Sequence, residues 1–232
     1  TGGMNYPAII AHRCGGGLAP ENTLAGLVAA AGTGCRGVEF DVMLTADGVT
    51  ILMHDDTLDR TTSGSGLVED HSLCQLRDVR VDGEPLPTLA EALTLCHQLG
   101  LWANIEIKPN RIGGPATAAA MAPLLACHWD GQGVVSSFDE SALTEMARLA
   151  PTCPLALLVA AVPADWLDRV RRLGARGLHC AAGSLDAATV AAGTGQGLAM
   201  AAYTINDKAQ ADHWLAAGLS AVFTDRPELW FG

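Results

Sequence analysis

At 232 residues with 49% apolar side chains, the chain can bury one substantial core, and a single domain over residues 1–232 is expected. A formal charge of -11 argues against nucleic acid or a stable membrane association, since counterion release and attraction to anionic lipid both need a basic patch. No apolar run reaches the ~18 residues that a membrane span requires.

The first residues, Thr1-Gly2-Gly3-Met4-Asn5-Tyr6, have neither the basic region nor the apolar core of a signal peptide, and Met4 reads as the natural start behind a foreign Gly pair. Seven cysteines lie at 14, 35, 74, 96, 127, 153 and 180 without CxxC spacing. An odd, scattered set of thiols argues against a disulfide framework or structural zinc and predicts a cytoplasmic protein with reduced cysteines.

Tyr6 to His12 is an apolar run bounded by Pro7 and a Gly-rich segment, and predicts a buried strand. Glu21 to Ala31 carries Leu24, Leu27 and Val28 at helical spacing and closes on Gly32-Thr33-Gly34. The stretch 37–56 then organises the rest. Val38, Phe40, Val42 and Leu44 alternate with Glu39, Asp41 and Met43, which is the period of a strand and puts both carboxylates on one face. Thr45-Ala46-Asp47-Gly48 is turn chemistry, and the run Val49 to Met53 follows too soon for a parallel crossover. These residues predict an antiparallel hairpin that returns His54 opposite Glu39, where cross-strand neighbours lie ~5 Å apart. An imidazole beside two carboxylates suits a metal or acid/base site.

Asp55 to Pro87 is irregular and polar, too long for an ordinary loop, and reads as an insertion at a barrel mouth, with a short helix expected from the Ser72/Gln75 capping-box spacing. Thr88 and Glu91 form a second capping box before a helix that ends at Leu99 with Gly100 as its C-cap. Strands follow at Leu101–Lys108, Gly133–Phe138, Leu155–Ala160, Gly177–Ala181, Leu198–Thr204 and Ala221–Thr224. Helices alternate with them at Pro115–His128, Glu140–Leu149, Ala164–Leu173, Leu185–Ala192 and Asp207–Ala217. Without the hairpin's return strand this makes eight parallel strands, all but the last followed by a helix. The expected fold is α/β, a (β/α)8 TIM barrel with a small insertion after the second strand at about 55–87. A doubly wound open sheet is the alternative, but Gly15-Gly16-Gly17 lacks the GxGxxG spacing of its phosphate turn.

Catalytic groups of such barrels sit at the carboxyl ends of strands. There the chain offers His12 and Arg13, Glu39 and Asp41, His54 and Asp55, Glu106 and Lys108, Ser136 and Ser137, His179, Thr204 and Asn206, and Thr224 and Asp225. Glu39, Asp41 and Glu106 are hard oxygen donors suited to one divalent cation, Mg2+ or Ca2+, rather than to zinc. Lys108 shares a strand face with Glu106 and can bind an anion, while Arg13 offers a fork suited to phosphate. Two histidines can divide proton donation and acceptance. Together these parts describe metal-assisted displacement at phosphorus.

His12-Arg13, Ala19-Pro20-Glu21-Asn22-Thr23, Glu39-x-Asp41-Val42, Thr45-x-Asp47-Gly48, His54-Asp55 and Glu106-x-Lys108 resemble, in order, the motif series of the glycerophosphodiester phosphodiesterase family. Ser137-Phe138, Thr204-x-Asn206 and Thr224-Asp225-x-Pro227 continue the match, and the compact cytoplasmic bacterial members are nearest in layout. The resemblance implies a metal-dependent hydrolase that cleaves a small-molecule glycerophosphodiester, such as glycerophosphocholine or glycerophosphoethanolamine, to sn-glycerol 3-phosphate and an alcohol. It further implies His12 and His54 as the acid/base pair, Glu39, Asp41 and Glu106 as metal ligands, Arg13 and Lys108 as phosphate-binding groups, and attack by the neighbouring glycerol hydroxyl through a cyclic phosphate.

Two positions depart from the family pattern. Cys14 stands where Gly usually follows His-Arg, and Tyr203 stands where Trp is common before Thr204. Cys14, next to Arg13, is expected to be an accessible thiol whose alkylation inhibits the enzyme. Phe138 and Tyr203 are candidates for the substrate pocket or for core packing. Glu21-Asn22-Thr23 reads as a polar helix start, His179 as a locally satisfied residue, Thr224-Asp225 as loop contacts, and His71, His97, His128 and His213 as surface or packing residues. Rival functions are a lysophospholipase D-like phosphodiesterase acting on lipid head groups, an enolase-type proton abstraction, and a noncatalytic binding module.

Overall fold

A computed structural model of the chain describes residues 4–231, so the segment read as preceding the natural start lies outside the described residues. Eight parallel strands close into a barrel: β1 (Ile9–Ala11), β2 (Gly37–Leu44), β6 (Trp102–Ile107), β7 (Gly133–Ser137), β8 (Leu155–Val159), β9 (Gly177–Ala181), β10 (Ala199–Tyr203) and β11 (Ala221–Thr224). Pairing of β1 with both β2 and β11 seals the ring, which rules out the open sheet. Helices α1 (Leu24–Thr33), α2 (Leu89–Leu99), α3 (Gly114–His128), α4 (Glu140–Leu149), α5 (Trp166–Arg172), α6 (Ala187–Gly195) and α7 (Lys208–Ala216) follow successive strands, and a short α8 (Glu228–Phe231) ends the chain.

Helix starts are set by side-chain caps more than by the apolar pattern. Thr23, Asp139, Asp186 and Asp207 each accept a bond from a first-turn backbone N–H, so α1 begins three residues later than expected and Glu21 stays outside it. The Thr88/Glu91 capping box is present in full, and Gly100 closes α2 in the left-handed region at φ 65°.

The alternation of β2 divides two cores. Val38, Phe40 and Val42 point outward into the large apolar layer between sheet and helices, while Glu39 and Asp41 point into the barrel. The barrel floor is filled by Ile10, Ala201, Ala221 and Phe223, against which Tyr6, Trp102 and Tyr203 pack. His179 lies in this floor and its Nε2 pairs with the Tyr6 hydroxyl at 2.8 Å, while its Nδ1 is buried without a partner among the described residues, so the local satisfaction expected of it is met at one ring nitrogen and not at the other. Burial pushes its pKa down to about 3 and keeps it neutral.

The hairpin forms as expected: β3 (Thr50–Leu52) runs antiparallel to the upper end of β2, pairing Val42 with Leu52 and Leu44 with Thr50. Continued, this register sets His54 opposite Phe40 and not Glu39. The strand ends at Leu52 and the chain bends at His54, which turns the imidazole into the barrel mouth. The insertion has a core of its own, where Leu58, Val68 and Leu76 pack on Met43, Ile51 and Met53. A two-stranded ribbon, β4 (Arg80–Val81) and β5 (Glu84–Pro85), also belongs to it. Ser72 and Gln75 do exchange their capping-box bonds, but no helix grows from them; the chain makes turns from Leu73 to Asp78 before β4. One turn repays little of the cost of helix nucleation.

Candidate active site

A cavity of about 220 Å3 opens at the carboxyl end of the barrel. His12, Arg13, Glu39, Asp41, His54, Glu106, Lys108, Phe138 and Tyr203 all line it, so the residues expected to serve as acid/base, metal, phosphate and pocket groups reach one space, while Asp55, Ser136, Ser137, His179, Asn206, Thr224 and Asp225 do not line it. Asn104, Leu158, Thr204 and Phe223 complete the lining.

Glu39, Asp41 and Glu106 form its charged centre. Register pairs Asp41 with Glu106 across β2 and β6, and one oxygen from each of the three carboxylates lies within 4.8 Å of the others. Burial, followed by repulsion from Asp41 and Glu106, pushes the Glu39 carboxyl well up; burial and then Asp41 push Glu106 up as well. The fit to a cation shows in the orphaned atoms. Oε1 of Glu39 and Oε1 of Glu106 are buried without a hydrogen-bond partner among the described residues, a costly state that a divalent ion relieves. Two of the other carboxylate oxygens are held in place. The Arg13 backbone N–H donates to Glu39 Oε2 at 2.8 Å, and Asn22 Nδ2 donates to Asp41 Oδ2 at 3.0 Å while its own Oδ1 accepts from the Asp41 backbone at 3.2 Å.

This clamp explains the backbone after β1. Arg13 and Cys14 both adopt left-handed φ, 52° and 77°, which aims the two successive N–H groups at Glu39, the second onto its carbonyl at 2.6 Å. Gly15 and Gly16 then pass so close to Gly26 and Asp225 that an added Cβ would stand 2.7 and 2.6 Å from their carbonyl oxygens. The glycines are there for close packing. Cys14 differs from expectation: its thiol is fully buried beneath α1, and burial raises its pKa well above the usual value. It is neither accessible nor a thiolate.

Each histidine facing the cavity is held at Nδ1 by a carboxylate. His12 Nδ1 lies 2.9 Å from Asp225 Oδ1, and His54 Nδ1 lies 2.7 Å from Asp55 Oδ1. Hydrogen bonds from His12 and Asn206 keep Asp225 below the usual carboxylate range, and Arg60 does so more strongly for Asp55. Both carboxylates are therefore ionised acceptors, which makes each Nδ1 the donor and leaves Nε2 for the cavity. Asn206 fixes Asp225 in turn, donating to its Oδ2 at 3.0 Å and accepting from its backbone N–H at 2.8 Å. Asp225 is thus no mere loop contact. Its motif was legible in the sequence, but its partner lies 213 residues away.

The cations are distributed around this centre. Lys108 Nζ stands 3.8 Å from Glu106 Oε1 and 3.5 Å from His54 Nε2. Arg13 donates to both oxygens of Glu21 at 3.2 and 3.1 Å, and Arg60 of the insertion bridges Glu21 and Asp55. Burial alone would raise the Glu21 carboxyl, but Arg60 and Arg13 outweigh it and hold it low. Glu21 and Asn22 accordingly do more than start a helix: they fix Arg13 and Asp41. Phe138 and Tyr203 meet edge to face at 6.2 Å on the opposite wall, and the Tyr203 hydroxyl donates to the Val159 carbonyl at 2.7 Å. Ser137 is spent on the backbone, donating to Ile107 and accepting from Asp139.

The chain is similar to known proteins over nearly its whole length. A model of the Glycerophosphoryl diester phosphodiesterase family matches residues 12–229. A glycerophosphodiester phosphodiesterase of Caldanaerobacter subterraneus is 29% identical over 95% of this chain and 94% of its own. Among solved structures, an Oleispira antarctica phosphodiesterase in complex with the product sn-glycerol-3-phosphate superposes with a TM-score of 0.93 at 37% identity, covering 96% of this chain and 94% of that one. The glycerophosphodiester phosphodiesterase of Thermotoga maritima shares the fold, with a TM-score of 0.79 at 23% identity and 97% of each chain covered. With the family match spanning nearly the whole barrel, the chain is an enzyme of the glycerophosphoryl diester phosphodiesterase family.

Proposed function

We propose that the enzyme hydrolyses glycerophosphodiesters such as glycerophosphocholine and glycerophosphoethanolamine to sn-glycerol 3-phosphate and an alcohol, using a divalent cation held by Glu39, Asp41 and Glu106. The observation that carries this reading is the set of two carboxylate-held histidines and two cationic side chains around three clustered carboxylates in one small cavity. The product held by the Oleispira antarctica relative supports the same substrate class.

When bound, the ion supplies Lewis acidity that draws negative charge off the phosphate oxygens. Arg13 and Lys108 bind those oxygens and orient phosphorus between the histidines. One imidazole takes the proton from the attacking oxygen at Nε2 as the new P–O bond forms. The other, which enters the step as the imidazolium, gives its Nε2 proton to the alcohol oxygen as the old P–O bond breaks. Asp225 and Asp55 hold the rings and stabilise each imidazolium. Mg2+ and Ca2+ both suit an all-oxygen donor set. All seven cysteines are unpaired, which supports a reducing compartment and with it a cytoplasmic location. No helix among the described residues is long and apolar enough to cross a membrane.

The test is release of glycerol 3-phosphate from the two glycerophosphodiesters with and without a chelator. Release should require the divalent ion and fall at least about a hundredfold in His54→Ala, the scale of a lost acid/base group. A lysophospholipid belongs in the same assay, because Leu18, Ile112 and Phe138 expose apolar surface on loops that follow barrel strands. Faster release of an acyl glycerophosphate than of glycerol 3-phosphate would favour the lysophospholipase D reading. Metal-independent turnover would overturn the mechanism.

A further inference from the structure

Four inward-facing residues form a rectangle in the middle of two neighbouring strands. Glu39 and Asp41 stand on β2, Asn104 and Glu106 on β6, and register pairs Glu39 with Asn104 and Asp41 with Glu106. Strand geometry sets the sides of this rectangle at roughly 4.8 Å across the pair and 6.6 Å along each strand.

Three corners carry the carboxylates already assigned to the cation. The fourth, Asn104, is 1% exposed and lines the cavity, yet its Oδ1 has no hydrogen-bond partner among the described residues. A buried amide left unpaired is costly where a leucine of similar size would fill the place at no such cost. Because Asn104 lines the cavity, a group bound there can supply the missing partner. Oε1 of Glu39, its cross-strand neighbour, and Oε1 of Glu106, two residues along the same strand, are orphaned in the same way. A substrate hydroxyl can donate to one of these three oxygens. A divalent ion with its inner waters can satisfy all three.

We propose that Asn104 is the fourth protein group of the cation site, its Oδ1 meeting the ion directly or across one water. It adds an oxygen donor without adding a fourth negative charge to a cluster that already repels itself. The inference rests on the reading that Glu39, Asp41 and Glu106 hold a divalent ion, and one experiment separates the two.

Metal-stripped wild-type protein and Asn104→Leu are each melted alone and across a titration with Mg2+ and with Ca2+, with calorimetry giving Kd. Without metal, Asn104→Leu should melt no lower than wild type, since it removes an unpaired amide and keeps the volume. With metal, its Kd should rise roughly 10- to 100-fold, the usual cost of losing a supporting group at a metal site. A structural role for the amide predicts the reverse, a lower metal-free melt with Kd unchanged. Should Asn104→Leu not fold, Asn104→Ser carries the same Kd prediction. Wild-type binding with unchanged affinity in the variant overturns the role of Asn104 alone. A wild-type protein that binds neither ion overturns the cation reading as well.

Discussion

His12 Nδ1 and Asp225 Oδ1 lie 2.9 Å apart, joining the first strand of the barrel to the loop after the last. The pair exists only because β1 and β11 are neighbours in the closed ring, with Ala11 in register with Thr224. Closure of the barrel therefore also sets the tautomer of a histidine in the site.

Asp225→Asn keeps the shape of this contact but lets the amide donate to Nδ1, which favours the tautomer with its proton on Nε2. We expect kcat on glycerophosphocholine to fall by about 10^2 to 10^4 with KM little changed, by analogy with the serine-protease triad, where the equivalent exchange costs ~10^4. Steady-state kinetics beside a thermal melt checks this. A variant with wild-type kcat removes Asp225 from the mechanism.

Arg60 connects the insertion to the site through Asp55 at 2.7 and 2.8 Å and Glu21 at 2.9 Å. Its side chain is half exposed, so the pairs contribute only about 0–1 kcal/mol and the melting temperature of Arg60→Ala should hardly move. Activity should move more, because Asp55 then loses the cation that holds it against His54. A fall in kcat/KM of about tenfold with unchanged stability is the expected result, read from kinetics and a melt on one preparation.

The raised carboxyls of Glu39 and Glu106 make the stability of the metal-free protein depend on pH. A carboxyl whose folded pKa is raised above its unfolded value near ~4.3 favours the folded state at lower pH and loses that contribution as pH rises through the folded value. His179, pushed down to about 3, is neutral in the folded state, and above about pH 6.5 it is neutral in the unfolded chain too, so it adds little slope there. Metal-free protein should thus melt at lower temperature at pH 8.5 than at pH 6.5, by ~2–4 °C for each kcal/mol lost. Saturating Mg2+ or Ca2+ should abolish or reverse the trend, because the ligands bind the ion deprotonated. Differential scanning at the two pH values, with and without metal, decides it.

Cys74 and Cys127 are exposed and Cys14 is buried. Iodoacetamide should therefore label the first two in the native protein, leave Cys14 unmodified and leave activity intact. Peptide mapping alongside an activity time course would show this, and inhibition that tracks modification of Cys14 would contradict the buried side chain.

Much of this architecture was legible in the sequence because it is local. The alternation in residues 38–44 separates the carboxylates from the apolar face, and the Thr88/Glu91 box announces a helix that forms as read. What could not be read depends on closure or on backbone sign. Asp225, Asn22 and Arg60 acquire their partners only when distant loops meet over the barrel. Cys14 was misread because a thiol beside Arg13 in sequence is carried under α1 by a residue at φ 77°. His54 reaches the cavity through a bend after β3, which strand periodicity alone would have turned outward with Phe40.

We expect Glu39, Asp41 and Glu106 to act together on one cation. Calorimetric titration of the metal-stripped protein with Ca2+ and with Mg2+ should show one ion per chain in the wild type and severely weakened binding in both Asp41→Asn and Glu106→Gln. Isotherms unchanged by either substitution, or more than one equivalent site in the wild type, would contradict it.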